Sequence, residues 1–198
     1  MRAHVRCSLS RLDGALDIDL SPRARMVALV SLIGEMRVAG WCAGLLGGSI
    51  AVDDANEPSL GWLGGRHASS LQRAPGSKEW EYWPRVWAAR GLLYAWSPDA
   101  SSAVIGGLRD SAWRVREMSA RVTRARELEG SETALEALAA DPIPRVRAAA
   151  LLALGRVGEV EHGRLVARHL DDRELAVRRA AVRALAELSR RLDHKFGR

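Results

Sequence analysis

The sequence predicts an all-α protein built as a solenoid of stacked helical hairpins, and three observations predict it. The skeleton Asp–x–x–x–x–Val–Arg occurs as DSAWRVR, DPIPRVR and DRELAVR, headed by Asp110, Asp141 and Asp172 at a constant interval of 31 residues. A period of that length has room for two helices; one hairpin cannot cover its own apolar stripe, so neighbours must stack. Finally, no segment shows the two-residue alternation of a half-buried strand.

Taken in order, residues 1–20 carry no clean period and read as a loosely ordered arm. Ser21–Pro22 then supplies a helix start, with proline where its missing N–H costs nothing. Met26, Val27, Val30, Leu32, Ile33 and Met36 recur at helical spacing, so this helix is expected to run to about Arg37. GWCAGLLGG reads as a second, short helix ending at Gly47–Gly48, VDDANEPS as a loop, and LGWLGGRHA as another short helix. SSLQRAPGSK, polar with Pro75 and Gly76, is the best linker candidate.

Beyond it the pattern becomes regular. First helices are expected at about 98–109, 131–140 and 162–170, and second helices at about 84–95, 113–126, 144–157 and 175–191. Pro98 and Pro144 mark starts, Gly130 and Gly158 mark stops. The expected organisation is therefore an arm over 1–20, N-terminal helices over 21–76 packed on the first repeat, and one continuous solenoid over 77–192.

Composition narrows the class. Apolar residues make up 47% of 198, which is enough for a globular core. The net charge of +6 rests on 28 arginines and only two lysines, Lys78 and Lys195. That skew fits a GC-rich genome, so arginine number alone is poor evidence for nucleic acid. Residues 77–198 carry 22 positive and 17 negative charges, so the basic excess lies in the repeats, with acids interspersed. Two cysteines, Cys7 and Cys42, cannot make a disulfide scaffold and are expected to be reduced thiols. The N-terminus lacks an apolar signal core, and the longest apolar stretch is too short and glycine-broken to cross a bilayer. A cytoplasmic protein is expected.

The turn aspartate, the Val–Arg pair and the Ala-Ala and Leu that follow resemble the HEAT repeat, and more narrowly the HEAT-like repeats named after phycobilisome lyases. The resemblance spans about residues 80–191 and implies a right-handed solenoid of helical hairpins. It implies that Val115, Val146 and Val177 are buried, with Ala120, Ala150 and Ala181 allowing close packing. It also implies that Asp110/Arg116, Asp141/Arg147 and Asp172/Arg178 form a structural ladder bonding adjacent units. The first unit departs from the pattern, with Glu81 and Trp87 at the ladder positions.

Two features stand out as binding candidates. Trp80, Trp83, Trp87, Trp96 and Trp113 crowd around the first repeat, with Trp41 and Trp62 upstream. Closing a terminal core face accounts for most of them; Trp83 and Trp87 are the candidates for recognition, because tryptophan and arginine dominate binding hot spots. Arg121, Arg124, Arg156, Arg179, Arg183 and Arg190 remain on the second helices once ladder members are subtracted, and such helices line the concave side of HEAT arrays. A row of guanidinium forks suits carboxylates or phosphates. Glu117 and Glu187 lie among them, as in an ordinary solvated surface.

No catalytic residue, metal site or cofactor is predicted. GLLGGSI and GWLGG lack the Gly-Lys-Ser/Thr of a phosphate loop, and the five histidines show no ligand spacing. The expected function is a non-catalytic scaffold that binds another protein, favouring an acidic segment, through the arginine face and the tryptophan-rich end. The alternative is a nucleic-acid-binding HEAT protein, including a DNA-repair glycosylase; a tetrapyrrole lyase and self-association through open ends stand behind these. No membrane partner is expected.

Overall fold

The computed structural model describes residues 12, 14–69 and 81–196. Most of the expected arm, nearly all of SSLQRAPGSK, and Trp80 lie outside them. The described residues are helical without a strand, and they divide into two compact units, Met1–Ala103 and Val104–Arg198. The helix read as part of the first repeat, Trp83–Gly91, belongs to the first unit.

In the first unit, α1 (Pro22–Ile33) begins where Ser21 accepts the N–H of Ala24 at 3.2 Å. It stops at Gly34 rather than running on to Arg37. Gly34 takes φ +86°, a conformation that side chains resist, and its N–H closes the helix on Val30 O. The chain there bends by 120° into α2 (Glu35–Gly47). The apolar spacing continued across the break because both helices contribute to it, yet Val27, Leu32 and Met36 are exposed. Leu29, Val38, Ala39, Trp41, Cys42 and Leu45 form the core with α3 (Gly61–Gly64) and α4 (Trp83–Gly91). Helices α2 and α4 approach closely because Gly91 has no side chain; a Cβ there would lie 2.7 Å from Cys42 Sγ. No single described helix is long and apolar enough to cross a membrane.

The second unit is made of hairpins. Helix α5 (Ser101–Gly107) crosses the division, and α6 (Trp113–Arg126), α7 (Glu132–Ala139), α8 (Pro144–Val157), α9 (His162–Ala167) and α10 (Leu175–Leu192) follow. Helix α8 packs between α6 and α10. Val115, Val146 and Val177 are fully buried, as are Ala120, Ala150 and Ala181. Gly155 lets α8 meet α10 backbone to backbone, since a Cβ there would lie 2.9 Å from Ala184 Cα. At the far end, Phe196 folds back onto α9, where Gly163 leaves room for its ring.

Three turns repeat the same geometry. Ala112, Ile143 and Glu174 precede α6, α8 and α10 with φ,ψ of −83°,120°, −89°,117° and −94°,122°. In each, the aspartate two residues earlier accepts the N–H of that residue through Oδ1, at 2.8, 2.8 and 2.9 Å. Six residues after each aspartate, the arginine Nη1 donates back to the aspartate's own carbonyl, at 2.8, 3.0 and 2.7 Å. The carboxylate therefore pairs an N–H that the helix start would leave open, the guanidinium pairs a carbonyl of the turn, and together they fix one turn from both sides.

Candidate functional site

The same side chains link one unit to the next. Arg116 Nε and Nη2 both reach Asp141 Oδ2 at 2.8 Å. Arg147 engages Asp172 as a fork, Nε to Oδ2 and Nη2 to Oδ1, each at 2.9 Å. The arginine thus bonds its own turn through Nη1 and the next unit's aspartate, 25 residues on, through its other nitrogens. The hydrogen bond from Arg147 holds the Asp172 carboxyl below the usual aspartate range, and the same bond raises Arg147. Arg178 keeps the bonds to its own turn, from Nη1 to Asp172 O and Arg173 O, and no aspartate of a further unit meets its fork among the described residues. The ladder residues therefore hold the architecture and leave little of themselves for a ligand.

The predicted arginine row lies on α6, α8 and α10. Three of its members are in ion pairs. Arg121 bonds Glu117 at 2.7 Å, one turn away on α6. Arg156 bonds Glu187 at 2.7 Å and also Glu127, which raises it; Arg190 bonds Glu187 at 2.7 Å. Hydrogen bonds from Arg190 and then Arg156 hold the Glu187 carboxyl below its ordinary range. Arg124, Arg179 and Arg183 are exposed with no carboxylate partner among the described residues.

The row is also interrupted. Arg121, Leu152 and Arg183 stand at one position of successive units, 31 residues apart, and the middle one is apolar. With Gly155 beside it, Leu152 opens a hollow of about 340 Å³ whose floor is Leu152 and Ala184 and whose rim is Arg124, Arg183, Glu187 and Arg190. Neither the interruption nor the hollow was drawn from the arginine positions alone; the 31-residue offset carries the signal. Glu127 and Arg145 were also missed. Arg145 bonds the buried Glu117 at 3.1 Å and lies 5.4 Å from the Trp113 ring, with Arg114 at 4.3 Å.

The tryptophans separate by role. Trp41, Trp62 and Trp87 are buried in the first unit's core. Trp87 packs on Gly64, where a Cβ would lie 2.6 Å from its ring. Trp83 is half-buried, stacked on Tyr82 at 5.4 Å and tilted against Trp87 at 5.9 Å. Cys42 is enclosed, and burial pushes its thiol up to about 12. His162, also buried, accepts Glu159 N–H through Nδ1 at 2.8 Å and faces Glu136 through Nε2 at 3.2 Å, so its nitrogens serve the fold.

Comparison with known proteins agrees with the geometry of the second unit. Residues 131–193 match the family model described as HEAT repeats, a match that does not reach the narrower phycobilisome-lyase type. No curated protein matches the chain. The repeated turn, the forward arginine-to-aspartate bond and this match identify residues 131–193 as HEAT repeats.

Proposed function

We propose that this protein is a non-catalytic, intracellular scaffold whose α6–α8–α10 face binds an acidic segment of another protein. HEAT repeats are in general protein-interaction scaffolds. The observation that carries the finer reading is the hollow over Leu152: Arg124 and Arg183, two guanidiniums without a carboxylate partner among the described residues, stand over an apolar floor. A carboxylate would find forks of donors there, and an apolar neighbour on the same segment would cover Leu152. Glu187, already bonded to Arg156 and Arg190, selects against a second carboxylate at that edge. Stacked helices hold these groups on a stiff support, so little backbone freedom is lost on association. Trp83 extends the reading to the tryptophan-rich end; Trp87 serves it only as packing.

The experiment is affinity purification with the wild-type chain and with Arg124→Glu/Arg183→Glu, at low and physiological salt. A protein partner held at physiological salt and lost from the variant supports the scaffold. Capture of duplex nucleic acid instead, weakening steeply as salt rises, would transfer the face to the nucleic-acid reading.

A further inference from the structure

The outer side of α10 repeats a side that is covered one unit earlier. On α8, Arg147, Leu151, Leu154 and Gly155 share one face of the helix. The contacts of Arg147 with Asp172 and the close approach of Gly155 to Ala184 place that face against the next hairpin. Leu151 and Leu154 are fully buried there. At the same positions 31 residues on, α10 holds Arg178, Val182, Leu185 and Ala186. Val182 is 57% exposed where Leu151 is 0%, Leu185 is half-buried and Ala186 is exposed. Arg178 is fixed through Nη1 as Arg147 is, and the Nε and Nη2 that grip the next aspartate in Arg147 meet no carboxylate in Arg178 among the described residues.

The stripe runs further than one repeat requires. Leu175, 50% exposed, begins it, and Leu175, Arg178, Val182, Leu185, Ser189 and Leu192 follow at intervals of 3, 4, 3, 4 and 3. That spacing is the seam of a two-helix coiled coil, laid along the 18 residues of α10.

The order of residues along the seam selects what covers it. Reversed against itself, the seam sets Leu175 opposite Leu192, Val182 opposite Leu185 and Arg178 opposite Ser189, so no layer faces like charges. A parallel copy would instead set Arg178 against Arg178. The bonds from Nη1 to Asp172 O and Arg173 O hold the Arg178 guanidinium at the start of α10. A reversed copy brings the end of its own α10 to that point, where the exposed Asp193 and the negative end of the helix dipole suit a guanidinium. Self-complementarity of this kind is what a two-fold axis needs.

We propose that α10 pairs with α10 of a second copy of this chain, antiparallel about a two-fold axis between Arg183 and Ala184. Val182 and Leu185 fill the centre, and Arg178 reaches Asp193 of the other copy at each end. Arg183, Glu187 and Arg190, which rim the hollow over Leu152, are not in the seam, so the pair stands apart from the binding of an acidic segment.

The test is sedimentation equilibrium of the full chain from about 0.5 to about 200 μM. Expected is a rise in mass from one chain to two, with a Kd of about 10 μM or tighter and no growth beyond two. Val182→Glu places a carboxylate in each central layer and is expected to weaken the pair at least about tenfold. Val182 is exposed in the single chain, so its helical content holds. Leu175→Glu puts an acid in the first turn of α10, which the helix dipole favours, and is expected to weaken the pair at least about fivefold. Asp193→Arg faces Arg178 with a like charge and is expected to weaken it about three- to tenfold, less as salt rises. A single-chain mass throughout would leave the stripe to a different protein and overturn the proposal. So would a mass that grows past two chains, unchanged pairing in Val182→Glu or Leu175→Glu, or no loss in Asp193→Arg at low salt.

Discussion

Arg147 and Asp172 meet as two planar groups, Nε to Oδ2 and Nη2 to Oδ1, both at 2.9 Å and with side chains only 9% and 10% exposed. The same carboxylate caps its own turn at Glu174 N, and the same guanidinium closes its own turn at Asp141 O. One pair therefore joins two turns, each set by its own local bonds. Arg178 repeats the local half without the forward half.

That difference gives a comparison within one molecule. Arg147→Ala leaves Asp172 shielded and without its partner, and is expected to cost about 3–5 kcal/mol, the range for breaking a buried pair. Arg178→Ala removes only main-chain bonds at a partly open position and is expected to cost about 1–2 kcal/mol. Urea unfolding of the two variants measures both; equal losses would mean that the forward bond contributes nothing.

Acid should weaken the second unit in a defined direction. Asp172 and Glu187 are held below their ordinary values, so each contributes stability that is complete above its unfolded pKa of about 4. The contribution is lost as pH falls through the lower folded values. Urea midpoints taken from pH 6 down to about pH 2.5 should decline, and Asp172→Asn should flatten the decline while starting lower. A variant as steep as the wild type would show that Asp172 is not a source of it.

Two glycine substitutions should move stability in opposite directions. Gly40 sits in α2 with nothing near its absent side chain, so Gly40→Ala is expected to stabilise by up to about 1 kcal/mol through helix propensity. Gly155→Ala gains the same propensity but drives a methyl into the Ala184 backbone, and should cost about 1–3 kcal/mol net. Thermal melts of both variants decide it; a stabilised Gly155→Ala would show that α8 and α10 can separate freely.

Cys42 should be inert until the first unit opens. Its thiol, pushed up to about 12 by burial, has almost no thiolate near neutral pH and no path to reagent. In a Cys7→Ser background, Ellman's reagent at pH 8 should label Cys42 in urea and leave it unlabelled in the native protein. Rapid native labelling would place the thiol at the surface.

The sequence by itself determined the hairpins of the second unit, because their signals are local. Asp–x–x–x–x–Val–Arg holds both partners of a turn within seven residues, and α6 and α8 begin and end where proline, glycine and apolar spacing placed them. Tertiary structure decided the rest. It chose the forward reach of Arg147 to Asp172, the break at Gly34 where apolar spacing runs on unbroken, and the pairing of Arg156 with Glu187 on α10 and with Glu127 just past the end of α6. It also took Arg25 and Arg90 inside the first unit, where a reading of residue types would leave arginine at the surface. The physical reason is range: turn chemistry acts over a few residues and is written in order along the chain. Charge compensation depends on which distant groups the packed helices bring within about 3 Å, and no local pattern encodes that distance.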